Sequence, residues 1–123
     1  MDEGRAIFLQ IAEQIENDIL SGAHPEETQV PSTNEFAAFH RINPATAGKG
    51  VNLLVDRGIL YKKRGIGMFV AEGARARIMA ARREEFREQY VLPLLAEADK
   101  LGISAGQITQ MIQGAEPIRG EKA

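Results

Sequence analysis

The sequence predicts a mainly helical fold with one small β-hairpin, and three observations carry that reading. An apolar stripe recurs at helical spacing near the N-terminus. Two short, well-capped helical patterns follow, separated by a tight turn. A basic, glycine-rich turn then sits between two short apolar runs.

Phe8, Ile11, Ile15 and Ile19 step by three, four and four, with Ala12 and Leu20 beside them. That is one face of an amphipathic helix over residues 5–20. Ser21-Gly22 supplies its stop, since glycine enters the left-handed conformation without a Cβ clash. Residues 23–31 read as a connecting loop in which Val30 covers the core and His24 is exposed. Ser32 caps a second helix, and Glu35 three residues on completes a capping box. Phe36, Ala37, Phe39 and His40 are its expected buried side, His40 being a partly buried structural histidine. Ile42 closes the turn. Asn43 and Pro44 open a third helix, the Asn side chain accepting from first-turn N–H groups and Pro occupying the first helical position. It runs to about Arg57, buries Ala47, Val51 and Leu54, and stops at Gly58.

Two short helices joined this tightly form a helix-turn-helix. Ile59-Leu60-Tyr61 then reads as a strand, 62–67 (Lys-Lys-Arg-Gly-Ile-Gly) as a turn, and Met68-Phe69-Val70 as the returning strand. A hairpin directly after the third helix is the wing of a winged helix. Beyond it a helical pattern runs from about Ala74 to Leu101, and Pro93 inside it should kink or interrupt the helix. Gly102 separates this from a short helix capped by Ser104 and ending near Gln113. The expected organisation is a winged helix-turn-helix domain over 1–71, a two-helix dimerisation region over 72–113 and a flexible tail over 114–123.

In the tail Phe86, Tyr90, Leu94, Leu95, Ala98 and Leu101 recur at roughly helical spacing, and Ile108, Met111 and Ile112 add a second apolar face. Too little chain remains to bury both faces within one subunit. Burial against a second copy is the economical solution, which predicts a homodimer.

With 123 residues, 44% of them hydrophobic, the chain is one small domain with an appendage. It has no cysteine, hence no disulfide framework and no thiol nucleophile. The opening residues lack the basic and apolar regions of a signal peptide, and no apolar run is long enough to span a bilayer. A cytoplasmic protein with no membrane segment is expected. Paired carboxylates, nucleophile–base pairs and metal-ligand clusters are all lacking in the pattern, so neither an enzyme nor a metal or cofactor site is expected. Gly48-Lys49-Gly50 and Gly65-Ile66-Gly67 lack the spacing of a phosphate-binding loop.

Net charge is −2, but its distribution is uneven. Residues 1–60 hold nine acids against four bases, whereas residues 61–83 hold seven bases against one acid. The positive block falls on the wing and the start of the tail, where a nucleic-acid backbone would be met.

The run 7–15 (Ile-Phe-Leu-Gln-Ile-Ala-Glu-Gln-Ile) with Ile19-Leu20-Ser21-Gly22 resembles the opening of GntR-family regulators. Val30-Pro31-Ser32 and Glu35-Phe36-Ala37 resemble that family's second helix, and Leu60 to Val70 its wing. Pro93-Leu94-Leu95-Ala96-Glu97-Ala98 and Leu101-Gly102-Ile103-Ser104 resemble the short tail of its YtrA-type subfamily. The resemblance covers residues 5–113. It implies a homodimeric, usually repressing regulator of double-stranded operator DNA, often of a neighbouring transporter operon. It also implies DNA contacts at Asn34, then Asn43, Pro44, Ala45, Thr46, Gly48 and Lys49, then Arg64 and Gly65. We add Ser32 and Lys63 as candidate contacts.

The family commonly carries arginine where this chain has Asn34 and Gly48, which thins the guanine-reading contacts. Gly48 and Gly50 each cost the third helix about 1 kcal/mol relative to alanine, predicting a soft helix that DNA orders. Thr46 and Lys49, three apart, share the face opposite Ala47, Val51 and Leu54. Lys49 is expected to read bases and Arg64 to position the protein on phosphate. The competing reading is a winged module that binds protein without specific DNA binding, favoured by the acidic first half. No feature indicates whether a small-molecule effector exists.

Overall fold

The computed structural model describes residues 6–115, so most of the tail expected over 114–123 lies outside the described residues. The elements run α1 (Ile7–Ser21), α2 (Thr33–His40), α3 (Pro44–Asp56), β1 (Leu60–Lys63), β2 (Gly67–Val70), α4 (Ala74–Phe86), a π-helical turn (Arg87–Val91), α5 (Leu92–Lys100) and α6 (Ala105–Gly114). The chain divides into two compact units, Met1–Ala81 and Arg82–Ala123. Among the described residues no helix is long and apolar enough to cross a membrane.

In the first unit α1 buries Ile11, Ala12, Ile15 and Ile19 against Ala47, Val51 and Leu54 of α3, with Val30, Phe36, Ala37, Ile59, Leu60 and Val70 closing the core. Ala74 and Ile78 complete it, so the first turns of α4 pack with this unit. Gly22 stops α1 in the left-handed region, its N–H donating to Ile19 O. The capping box on α2 is formed: Glu35 N donates to Ser32 Oγ at 3.0 Å and Ser32 N to Glu35 Oε1 at 2.9 Å. Arg41, with φ 56°, makes the left-handed turn between α2 and α3.

Phe39 corrects the expected buried side of α2: it is 82% exposed. Phe36, Ala37 and His40 lie within one sector of the helix, while Phe39 is about 200° round from Ala37 and faces outward. Gly50 also differs from expectation. A Cβ there would lie 2.8 Å from Phe8 O and 2.9 Å from Ile11 Cγ2. Glycine is therefore what lets α3 approach the backbone of α1.

The wing pairs Leu60 with Val70 and Lys63 with Gly67 in antiparallel register. Its turn is thus shorter than expected, with Lys62 and Lys63 on β1 and only Arg64, Gly65 and Ile66 at the tip. The 23–31 loop does more than connect. Val30 N donates to Met68 O, Val70 N to Thr28 O and Glu27 N to Val70 O, laying residues 27–30 beside β2.

In the second unit the chain accommodates Pro93 without breaking the helical path. Leu92 N donates to Arg87 O, a five-residue step, and the backbone widens over Arg87–Val91. A proline has no N–H and crowds the carbonyl four residues back; the wider turn is a known way to relieve that crowding. Gly102 (φ 70°) then turns the chain, and Ser104 with Gln107 forms a second capping box at the start of α6.

Candidate nucleic-acid interface

Three exposed segments of the first unit carry the expected contacts: the start of α2, the start of α3 and the wing tip. Ser32 and Asn34 are exposed. The Ser32 hydroxyl already accepts from Glu35 N, so its proton is the part left to offer a phosphate. At α3, Asn43 Oδ1 accepts from Ala45 N at 2.7 Å, which turns the amide NH₂ outward as a donor. Pro44 and Ala45 are exposed. A hydroxyl, an amide and a helix N-terminus suit phosphate oxygens.

Lys49 is exposed, whereas Thr46, expected beside it on the outer face, is half-buried. The Lys49 ammonium sits 4.3 Å from the centroid of the Phe8 ring, a cation–π contact reaching from α3 to α1. A groove along α3 brings together Ala45, Gly48, Lys49 and Asn52, with Phe8 as its far wall. Asn52 is a candidate that the sequence reading missed. Its signal was the spacing of seven from Ala45 and three from Lys49, which places all three on one helical face. An amide there has the donor–acceptor pair that adenine presents in the major groove. Gly48 joins the first two segments, since a Cβ at Gly48 would lie 3.6 Å from Thr33 Cγ2 of α2.

On the wing, Arg64 and Gly65 occupy the tip, and Gly65 takes φ 76°, a value glycine adopts freely. Lys63 is one residue down, its ammonium 4.3 Å from the Phe69 ring centroid. The tip is tied to the segment leading into α2, because Gln29 Nε2 donates to Ile66 O at 3.0 Å.

Part of the positive block is spent on the fold. The Arg75 guanidinium donates to Leu20 O, and Arg77 Nη1 donates to Gly58 O at 3.0 Å and Glu72 O at 2.9 Å. Glu26 caps α4, accepting from Gly73 N at 2.8 Å and Arg75 N at 3.1 Å. Those two N–H groups hold its carboxyl below the usual range, with Arg77 and Arg75 adding to the effect.

The chain is 39% identical to a solved GntR-family regulator from Bacteroides thetaiotaomicron, covering 88% of this chain and 94% of that one with a TM-score of 0.77. The chain belongs to the GntR family of transcriptional regulators. This GntR member also matches the repressor YtrA of Bacillus subtilis, 26% identical over 107 residues, 87% of this chain and 82% of YtrA. By contrast the match to the repressor NagR of the same organism stops at 66 residues, 27% of NagR. The short tail of this GntR chain is therefore shared with YtrA as well as its winged part. The solved DNA-binding domain of AraR in complex with an operator is 31% identical over 52% of this chain and 77% of that one, with a TM-score of 0.50. No family model matches the chain.

In the second unit the dimerisation candidates divide by burial. Ala98 and Ile108 are buried where α5 meets α6, whereas Phe86, Tyr90, Leu94, Leu95, Leu101, Met111 and Ile112 are exposed. Leu94, Leu101, Met111 and Ile112 line an apolar groove of about 270 Å³ with Ile103 and Ile108 at its base.

Proposed function

We propose that this protein is a cytoplasmic, homodimeric repressor that binds a palindromic operator. The groove along α3, with Lys49 and Asn52 on one exposed face behind an Asn-capped N-terminus, carries this reading. A helix presented in this way fits the major groove, α2 and the wing tip supplying phosphate contacts on either side. Lys49 and Asn52 read base edges; Ser32, Asn34, Asn43, Lys63 and Arg64 position the domain.

The dimer rests on the apolar tail. Leu101 is 64% and Ile112 65% exposed, an arrangement that water disfavours and a second copy relieves. A two-fold axis through the tails would match the symmetry of a palindrome.

Fluorescence anisotropy with the chain's own upstream DNA tests the proposal. Binding should be sequence-selective and should weaken by about 10³-fold or more between 50 and 200 mM salt if six or more phosphates are neutralised. Affinity that is equal for unrelated DNA, or flat with salt, would overturn it.

A further inference from the structure

The first unit contains a cleft of about 490 Å³ that the DNA-facing groove does not use, between α1, the 23–31 loop and α2. This volume is in the range of small-molecule sites, roughly 300–1,000 Å³. Its floor is the apolar core: Ile15, Val30 and Phe36. One wall is aromatic, the His40 ring lying 4.2 Å from Phe36 and 4.9 Å from Phe39 between centroids. Phe39 stands at the rim with 82% of its surface in water, a large apolar side chain with no partner on its outer side.

The two carboxylates at the rim carry its formal negative charge. Asp18 and Glu35 line it, as does His24, and no lysine or arginine does so among the described residues. The faces of Phe36 and Phe39 are also the negative ends of their quadrupoles. Both the full charges and the ring faces favour a cation, and the floor favours a hydrocarbon body. We propose that this cleft binds a small organic amine, an ammonium group on an aromatic or branched aliphatic body. The ammonium faces Asp18 and Glu35, and the body lies on Ile15 and Val30 against the Phe36–His40–Phe39 wall.

The cleft adjoins the proposed interface through hydrogen bonds rather than shared residues. Glu35 Oε1 accepts from Ser32 N, the residue that opens α2. The loop forming the other wall carries Gln29, which holds the wing tip through Ile66 O. An ammonium competing for Glu35 loosens the cap on α2, so amine and operator oppose each other, by the same factor in each direction. This coupling, unlike the site itself, rests on the DNA-binding reading.

Thermal unfolding and calorimetry of the full chain with 2-phenylethylamine test the site, with phenylacetate and 2-phenylethanol as controls. The amine should raise the melting temperature at millimolar concentration, the alcohol less, and the acid not at all. Asp18→Asn, which keeps a hydrogen-bonding side chain, should weaken amine binding about tenfold, as expected for one charged hydrogen bond. Phe39→Ala should weaken it without lowering the melting temperature of the free protein. No amine binding, equal binding of the acid, or unchanged binding in both variants would overturn the site. If Phe39→Ala instead changes the oligomeric state and no amine binds, the patch is a protein contact and the proposal fails. Operator anisotropy with and without the amine then reads the coupling: weaker DNA binding supports it. Unchanged DNA binding by a protein that binds both overturns the coupling alone.

Discussion

Lys49 and Phe8 meet where α3 crosses α1, the ammonium 4.3 Å from the ring centroid. The same crossing brings the Phe8 carbonyl so close to Gly50 that no Cβ fits between them. The first turn of α1 therefore sets both the seat of α3 and the direction of its one lysine.

If Lys49 reads a base, Lys49→Ala should cost about 1–3 kcal/mol at one base pair of the operator. Phe8→Leu removes the aromatic face and keeps an apolar body, so it should cost less, about 0.5–1 kcal/mol, at that same base pair. Anisotropy on single-base operator variants checks both. A loss spread evenly over all variants would place Lys49 on phosphate.

Two glycines of one helix should respond in opposite directions. Gly48→Ala meets only Thr33 Cγ2 at 3.6 Å, an ordinary contact, so the gain in helix propensity should stabilise the protein by roughly 0.5–1 kcal/mol. Gly50→Ala meets backbone at 2.8 Å and should destabilise it by about 1–3 kcal/mol through overpacking. Urea unfolding of the two variants reads the difference. Equal effects would mean that α1 moves aside readily.

The Glu26 carboxylate caps α4 from the α1–α2 loop, and its folded-state pKa is lowered from 4.5 by the Gly73 and Arg75 N–H groups. A depressed carboxylate pKa contributes stability above the unfolded value and loses it as pH falls through the folded value. Wild type should therefore melt higher than Glu26→Gln at neutral pH, and the gap should close as pH drops below 4.5. Melting temperatures across an acid series check this, and a gap that is independent of pH would remove the charge from the explanation.

Arg64→Ala should weaken binding to all DNA sequences nearly alike and lower the salt slope by about one, as expected for one phosphate contact. Titrations at several salt concentrations measure it. A loss confined to A·T-rich flanks would instead put Arg64 in the minor groove.

Leu101→Glu places a charge on the apolar groove of the second unit, far in sequence from the first unit's core. It should weaken self-association by at least about 2 kcal/mol, as for a central interface residue, with the helical signal retained. Sedimentation equilibrium decides it. A variant that associates like wild type would exclude this groove as the dimer face.

Features that depend on neighbours a few residues apart are legible along the chain. Ser32 with Glu35 is a capping box, Ser104 caps α6, Asn43-Pro44 opens α3, Gly22 ends α1, and the basic glycine turn folds back as a wing. Each is settled by backbone groups within one turn, so its signal is local. Tertiary structure alone decided the rest. Glu26 caps a helix that begins 48 residues later at Ala74, Gln29 secures a tip 37 residues away, and Arg75 and Arg77 donate to the carbonyls of Leu20 and Gly58. Gly50 looks like a helix defect until α1 lies across it, and Phe39 passes for core until α2 is rotated against its neighbours. These depend on which surfaces meet after collapse, and a pattern read along one chain has no access to the distance between residues that folding brings together.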